Sequence, residues 1–370
     1  MAKSFLRRSF KSVSIVITIF LAVLFLIACL SPYINPANWW IFGFLGLIVP
    51  YLILLLFFAT IFWLIAKPIY AWIPFISLCF GWQQMGVVLA WHAGSGFNKK
   101  KHPQNIRVVD WNVRSFNGLS KNADIKRLTR NEIAEIITKM QADIVCLQEF
   151  NSSTQRDHDD NISLLSKAFP YYYFSRDYLR NKGNYHSGSI IFSRFPIIDS
   201  GKTNFPVAES LIYADILKGE DTFRVFNTHL QSFKFKKEDY ADIEKIVEQD
   251  DQTVSASKNI FNKMKLAFSQ RGIQADIVRN QRDLSKLPSI ITGDFNDVPN
   301  SYTYFNIKGD WQDCFLKKDF GIGRTYLSLA PTLRIDYIFA DKQFAVKQFD
   351  RIDEDLSDHM MLVTDLRLLK

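Results

Sequence analysis

The pentapeptide Gly293-Asp294-Phe295-Asn296-Asp297 follows directly on the apolar run Ile290-Ile291-Thr292. At the end of an extended strand, residues two apart point to one side, so Asp294 and Asn296 are expected to project together while Phe295 turns into the core. A carboxylate beside an amide can hold a water by its proton and by its lone pair, which is what in-line attack on phosphorus requires. Taken alone, the segment reads more readily as a polar turn after a strand. It does not occur alone: Trp111-Asn112-Val113, Leu147-Gln148-Glu149, Thr228-His229-Leu230 and Ser357-Asp358-His359 end other apolar runs in the same manner. Active sites of α/β proteins are built at strand ends, and hard oxygen donors such as Glu149 and Asp358 suit Mg²⁺ better than zinc.

The elements that must position these residues are short apolar strands alternating with amphipathic helices, the pattern of an α/β domain. Strands are expected at Ile106–Trp111, Ile144–Leu147, Ser189–Phe192, Thr222–Asn227, Ser289–Thr292, Arg334–Phe339 and Met361–Leu366. Helices are expected at Arg130–Met140, with Ile133, Ile136, Ile137 and Met140 on one face, and at Asp239–Val247 and Val254–Arg282 as a lysine-rich helical hairpin. Gly321-Ile322-Gly323-Arg324-Thr325 has no helix behind it and reads as a turn, not a phosphate cradle. Arg271 and Gln274 read as helix-surface or packing residues. His92, His102, His158 and His186 read as ordinary residues, although His186, before Ser187-Gly188-Ser189, could line a site. A lone His229 would read the same way.

The first ninety residues belong to a different solvent. Between Lys11 and Lys99 the only charge is Lys67, and no acidic residue precedes Asp110. Of the net charge of +8, five units come from Lys3, Arg7, Arg8, Lys11 and Lys67, so the remainder is only mildly basic and charge does not select nucleic acid as partner. Three apolar stretches, Val13–Leu30, Trp39–Ala66 and Ile69–Trp91, are each long enough to cross a bilayer, with Pro74, Gln83 and Gln84 interrupting the third, which could instead be re-entrant. The expected organisation is a three-helix anchor over 1–92, a linker over 93–104 and a catalytic domain over 105–370. The Leu26-Ile27-Ala28-Cys29 stretch also resembles a lipoprotein processing site. The basic N-terminus favours a cytoplasmic start and hence an extracytoplasmic domain in a bacterial inner or plasma membrane, whereas Lys99-Lys100-Lys101 argues for the other side. Cys29, Cys79, Cys146 and Cys314 show no zinc spacing and are expected to be free thiols, with a Cys146–Cys314 disulfide as the alternative.

The ordered set Trp-Asn-Val, Leu-Gln-Glu, Ser-Arg-Phe-Pro-Ile, Thr-His-Leu, Gly-Asp-Phe-Asn, Arg-Ile-Asp-Tyr-Ile and Ser-Asp-His, from Ile106 to Leu368, resembles the endonuclease/exonuclease/phosphatase superfamily. The resemblance implies a four-layer α/β sandwich, two central mixed sheets flanked by helices. It implies Glu149 as principal Mg²⁺ ligand, with Asp358 and Asn112 at or near the metal and Mn²⁺ as a possible substitute. Asp294 would position or deprotonate the attacking water, and Asn296 would orient it or the phosphate. His359 would contact the phosphate while Asp336 accepts from its other ring nitrogen, and His229 would be the second phosphate-binding histidine. Two departures stand out: Arg114 occupies a position that is acidic in some members, which puts a second metal in doubt, and Met361 replaces the usual Pro after Ser357-Asp358-His359.

The expected function is Mg²⁺-dependent phosphoester hydrolysis at the bilayer, on a lipid-linked phosphate or, alternatively, on DNA or RNA through Lys234, Lys236, Lys237 and Tyr171–Tyr173. A non-catalytic binding module is the reading from another class. No obligate protein partner is implied.

Overall fold

Ile106–Asn112 is buried on both of its alternating faces, so this strand must lie inside a sheet covered on each side. The structure, a computed structural model, describes residues 2–92, 96–117, 120, 122–154, 160–207, 209–235, 238–239 and 253–369. Its strands are β1 (Ala90–Trp91), β2 (Ile106–Asn112), β3 (Ile144–Ser153), β4 (Tyr171–Phe174), β5 (Tyr178–Arg180), β6 (Tyr185–Ser193), β7 (Ile197–Asn204) and β8 (Ser210–Lys218). They continue with β9 (Asp221–His229), β10 (Ser289–Asp294), β11 (Gln312–Asp313), β12 (Phe320–Gly321), β13 (Asp336–Ala340), β14 (Phe344–Ile352) and β15 (Met361–Leu368). One sheet runs β14-β15-β2-β3-β6-β4 with β5 paired to β6, the other β11-β13-β10-β9-β8-β7, and β1 pairs with β12.

Both sheets are mixed: β2 and β3 are parallel, as are β9 and β10, and the other pairs are antiparallel. Their facing sides interlock through Val108, Ile144, Cys146 and Ile191 from one and Ile212, Ala214, Val225, Ile290 and Ile338 from the other. The outer face of the first sheet is covered by the helix Ala123–Lys139, which buries Ile133, Ala134 and Ile137. The outer face of the second is covered by the helices Thr253–Leu284 and Tyr302–Lys308 through Ala275, Val278, Tyr304 and Ile307. This is the expected four-layer sandwich. The first of those helices begins seven residues earlier than its apolar stripe, because Asn122 caps it by accepting from Asp124 N and Ile125 N. Most of the expected helix Asp239–Val247, together with Lys236, Lys237 and His158, lies outside the described residues. All four cysteines are free, Cys146 and Cys314 both buried, and no disulfide joins them.

The N-terminal region forms α1 (Ala2–Ala28), α2 (Ile41–Ala66), α3 (Trp72–Phe80) and α4 (Trp82–Val88). Two of its helical stretches, Ser9–Tyr33 and Ile41–Ala66, are long and apolar enough to cross a membrane. The third apolar stretch is not one continuous helix: it starts as a tight turn at Pro68–Ala71 and breaks at Gly81, where a side chain would collide with the Phe25 ring. Its two glutamines bond at the end of the first helix, Gln84 Nε2 donating to Cys29 O at 3.0 Å and Gln83 Oε1 accepting from Tyr33 Oη at 3.0 Å. Lys11 and Lys67 both lie over the Tyr70 ring at the end of the bundle remote from the sandwich. At the near end, Arg334 Nη2 donates to Val87 O and Asn35 Nδ2 to Asp276 Oδ2. The expected linker is tied down as well, since the buried Arg107, paired with Asp365 at 2.7 Å, also donates to Lys99 O and Asn98 O.

Candidate active site

Register, not proximity in sequence, assembles the site. In the second sheet Asp294 is paired with His229 on one side and Asp336 on the other, so β9, β10 and β13 deliver an imidazole and two carboxylates to one level. Gly293 makes this possible: its φ is +141°, and a Cβ there would lie 1.9 Å from Thr228 O on β9. Gly293→Ala is expected to cost about 2–3 kcal/mol, seen as a lower unfolding midpoint of the detergent-solubilised chain. In the first sheet Asn112 is paired with Gln148, and the next residue, Glu149, stands in a register shift with φ +50°. Such an irregularity re-aims a side chain at the sheet end. Trp111 Nε1 donates to His359 O at 2.8 Å and Ser357 Oγ to Asn112 O at 2.7 Å, which fastens the Ser-Asp-His segment to the end of β2.

The groups meet around one carboxylate. Asp294 Oδ2 accepts from Asn112 Nδ2 at 3.1 Å and lies 3.5 Å from His229 Nε2 and 3.8 Å from His359 Nε2. Asn296 N donates to Asp294 Oδ1 at 2.8 Å, and Asn296 Nδ2 donates to Leu230 O, which anchors this cavity-lining residue. Behind each histidine stands an acid: both oxygens of Asp336 are 3.0 Å from His359 Nδ1, and Glu209 Oε2 is 2.9 Å from His229 Nδ1. Burial alone would lower the imidazole pKa values, but these carboxylates and Asp294 outweigh it and hold each up at about 10. Asp294 is pushed up to about 6 by burial and by Asp336, against the pull of the two histidines. The site thus presents two imidazolium groups and a carboxyl that titrates near neutrality.

A second polar layer lies beneath, between the sheets. Asp110 Oδ1 accepts from Gln148 Nε2 at 2.8 Å and from Thr292 Oγ1, while Gln148 Nε2 also reaches Asn227 Oδ1 at 2.8 Å. Burial holds the Asp110 carboxyl far above the carboxylate range. A folded pKa raised above the unfolded one gives stability that is full below about pH 4 and falls as pH rises toward the folded value, by at most about 1.4 kcal/mol per pH unit. Asp110→Asn is therefore expected to be the more stable protein at neutral pH, with the difference vanishing near pH 4 in urea titrations.

Six of the eight predicted residues, Glu149, His229, Asp294, Asn296, Asp358 and His359, line one cavity of about 380 Å³. Asn112 and Asp336 stand behind it, buried. Asn112 turns its Nδ2 to Asp294 and, at 3.4 Å, to Glu149, while its Oδ1 accepts from Arg114 N; it holds the two carboxylates and presents no oxygen to the cavity. Arg114 Nε lies 3.4 Å from Asp358 Oδ2, so a guanidinium neighbours that carboxylate at the cavity. Arg271 and Gln274 are fully buried and not on a helix surface. Arg271 donates to Asn296 O between the Phe233 and Phe268 rings, and Gln274 accepts from Gln231 N at 2.8 Å. His186 faces the Phe174 ring and does not line the cavity, nor do Tyr171–Tyr173, whereas Lys234 does.

Sequence reasoning missed Glu209, Tyr326, whose ring lies tilted at 4.9 Å from that of His359, and Thr325, whose Oγ1 accepts from Ile335 N and Asp336 N. The Gly321–Thr325 turn thus holds Asp336, not a phosphate. Among the described residues, one compact cluster of acids and histidine could hold a divalent cation, and further carboxylates line the same cavity. Asp294, Asp336 and His359 lie within 4.8 Å of one another, but both Asp336 oxygens are engaged by His359. Glu149, half-buried, lines the cavity as does Asp358, and it offers a carboxylate whose chemistry suits a hard cation.

With this geometry in hand, similarity to known proteins is informative. The family model described as Endonuclease/Exonuclease/phosphatase family matches residues 111–359, and a model for a domain of unknown function (DUF8431) matches residues 10–88. No curated protein matches the sequence. Among solved structures, an endonuclease/exonuclease/phosphatase from Beutenbergia cavernae DSM 12333 is 20% identical over 72% of each chain, with a TM-score of 0.49. The human Nocturnin catalytic domain is 19% identical over 72% of this chain and 94% of its own, with a TM-score of 0.48. The mannosyl-6-phosphatase Bt3783 of Bacteroides thetaiotaomicron VPI-5482 is 20% identical over 70% of this chain and 99% of its own, with a TM-score of 0.45.

Proposed function

The chain belongs to the endonuclease/exonuclease/phosphatase family and is a hydrolase of phosphoester bonds, and we propose that it works with Mg²⁺, tethered to a membrane, on a phosphoester carried by a lipid. The observation that carries the catalytic reading is the convergence of Asn112, His229 and His359 on Asp294, at 3.1, 3.5 and 3.8 Å. Glu149, with Asp358 beside it, would hold the cation, which when bound neutralises phosphate charge and polarises the ester. Asn112 would fix the Glu149 carboxylate. Asp294 takes a proton from the attacking water, and Asn296, its own amide anchored on Leu230 O, orients that water with its oxygen. His359, kept protonated and turned by Asp336, donates to a non-bridging phosphate oxygen, and His229, kept protonated by Glu209, stabilises the charge that develops on the opposite side. Arg114 beside Asp358 favours one cation over two.

Residues 1–92 would be the anchor and 105–370 the catalytic domain. Lys11 and Lys67 at the remote end of the bundle support a cytoplasmic location for that end, with the sandwich on the other side. The opposing signal from Lys99–Lys101 is weakened because Lys101 is engaged by Asp143. A tether raises the effective concentration of membrane-borne substrates. The test is turnover by the full chain in detergent, with Mg²⁺ and with chelator, of sphingomyelin, polyprenyl pyrophosphate, inositol phosphates, RNA and plasmid DNA. Lipid turnover that is lost with chelator is expected; turnover of nucleic acid alone would replace the lipid reading with a nuclease.

A further inference from the structure

Leu47, on α2, lines the same cavity as Glu149, Asp294 and His359. The upper part of α2 is locked onto the sandwich: Gly43 lies against the Phe268 side chain, Gly46 against Asn300 O, and Phe44 stacks on Phe261. Two small residues three apart let the helix approach this closely. One turn below Leu47, Tyr51 Oη and Thr332 Oγ1 are 3.2 Å apart, tying the helix to the loop that carries Leu329 and Leu333 into the cavity wall.

From Leu47 to Lys67 is about 20 residues, or about 30 Å of helix, the thickness of a bilayer's hydrocarbon core. If Lys11, Lys67 and Tyr70 mark one interface, the cavity sits at the other, at headgroup height. Below Leu47, the residues Tyr51, Leu54, Leu55 and Phe58 follow at helical spacing on the same face, each 44–57% exposed and all apolar or aromatic. Above it the cavity lining combines the apolar side chains of Leu47, Leu329 and Leu333 with the charged groups of Glu149, Asp294 and the histidines.

We infer that a phosphoester amphiphile approaches sideways from the leaflet nearer the sandwich, its phosphate between the histidines and its apolar chain lying on Leu47 and the stripe below. This rests on the hydrolase reading above and adds the route and the part of the substrate that is recognised. A nucleic acid has no long apolar chain to lie on Leu47 and the stripe below, and a water-soluble phosphoester leaves them uncovered.

The full chain is reconstituted in phosphatidylcholine vesicles doped with long-chain phosphatidic acid or a polyprenyl pyrophosphate, and turnover is compared with that of short-chain monomeric homologues of the same headgroups. The long-to-short ratio of kcat/KM is expected to be well above one. It should fall about tenfold in Leu47→Asn and in Leu329→Lys, the loss of one side chain's apolar contact, and stay unchanged in Phe57→Ala on another face of α2. If Leu47→Asn fails to insert, Leu329→Lys, in a surface loop, carries the test. A ratio near one in the wild type, or one that neither variant lowers, overturns the sideways route. Bis(p-nitrophenyl) phosphate separates the two levels: its Mg²⁺-dependent turnover with a ratio near one sinks the route and leaves the hydrolase standing, whereas no turnover of any phosphoester sinks both.

Discussion

Replacing Glu149 with Gln is expected to lower kcat/KM by about 10³-fold or more, the several kcat-determining kcal/mol that a cation's charge supplies at phosphorus. Mg²⁺ affinity measured by calorimetry on the variant should fall with it. The side chain is nearly isosteric, so the fold should survive, and the strained backbone at φ +50° is unaltered. The alternative cluster of Asp294, Asp336 and His359 makes the experiment decisive. If Glu149→Gln binds Mg²⁺ as the wild type does while Asp336→Asn does not, the cation belongs between the two aspartates and the assignment of Glu149 is wrong.

Asp294→Asn is expected to reduce kcat by about 10²–10⁴-fold, the usual contribution of a positioned general base, and to cost some stability as well, because its single amide oxygen can accept from Asn296 N or face Asn112 and the two histidines, but not both. Its signature is in the pH profile. A base acts once it has lost its proton, so wild-type kcat/KM should rise with pH through an inflection no higher than about 6, since a nearby cation favours the carboxylate. The rise should be absent in the variant. On the alkaline side, activity should fall as His229 and His359 lose the protons that hold them positive, at or below about pH 10. The same two groups link pH to stability: their folded pKa values are raised, so the stability they contribute is full below about 6.5 and is lost as pH climbs through about 10. A flat acid limb in the wild type would remove Asp294 from the role of base.

The buried layer under the site ties its two sheets together. Gln148 reaches both Asp110 on β2 and Asn227 on β9, and Thr292 on β10 donates to Asp110, so the two sheets are pinned to each other by side-chain hydrogen bonds directly beneath Glu149 and Asp294. Neutral Asp110 makes this layer inexpensive to bury, since a charged carboxylate there would need a cation that the described residues do not provide.

What the sequence determined by itself was the set of strand ends. Apolar runs of period two stop at polar residues for reasons that are local, which made the α/β class legible; the resemblance carried by the ordered motifs supplied the sandwich and the eight predicted site residues, six of which line the cavity, and the charge-free stretches before Lys99 marked apolar helices, two of them of membrane length where three were expected. Which acid would stand behind which histidine was not. Glu209 meets His229 only because β8 pairs with β9 in one register, and Asn112 offers its nitrogen, not its oxygen, only because Arg114 N takes the oxygen. The third apolar stretch has the composition of a span, yet Gly81 against Phe25 breaks it. Leu47 reads as one more apolar residue of α2 until Gly43 and Gly46 bring that helix against the sandwich. Side-chain periodicity is written in neighbouring residues and survives in the sequence; register between distant strands and the docking of one helix on a domain are sums over many long-range contacts, and only the folded chain evaluates them.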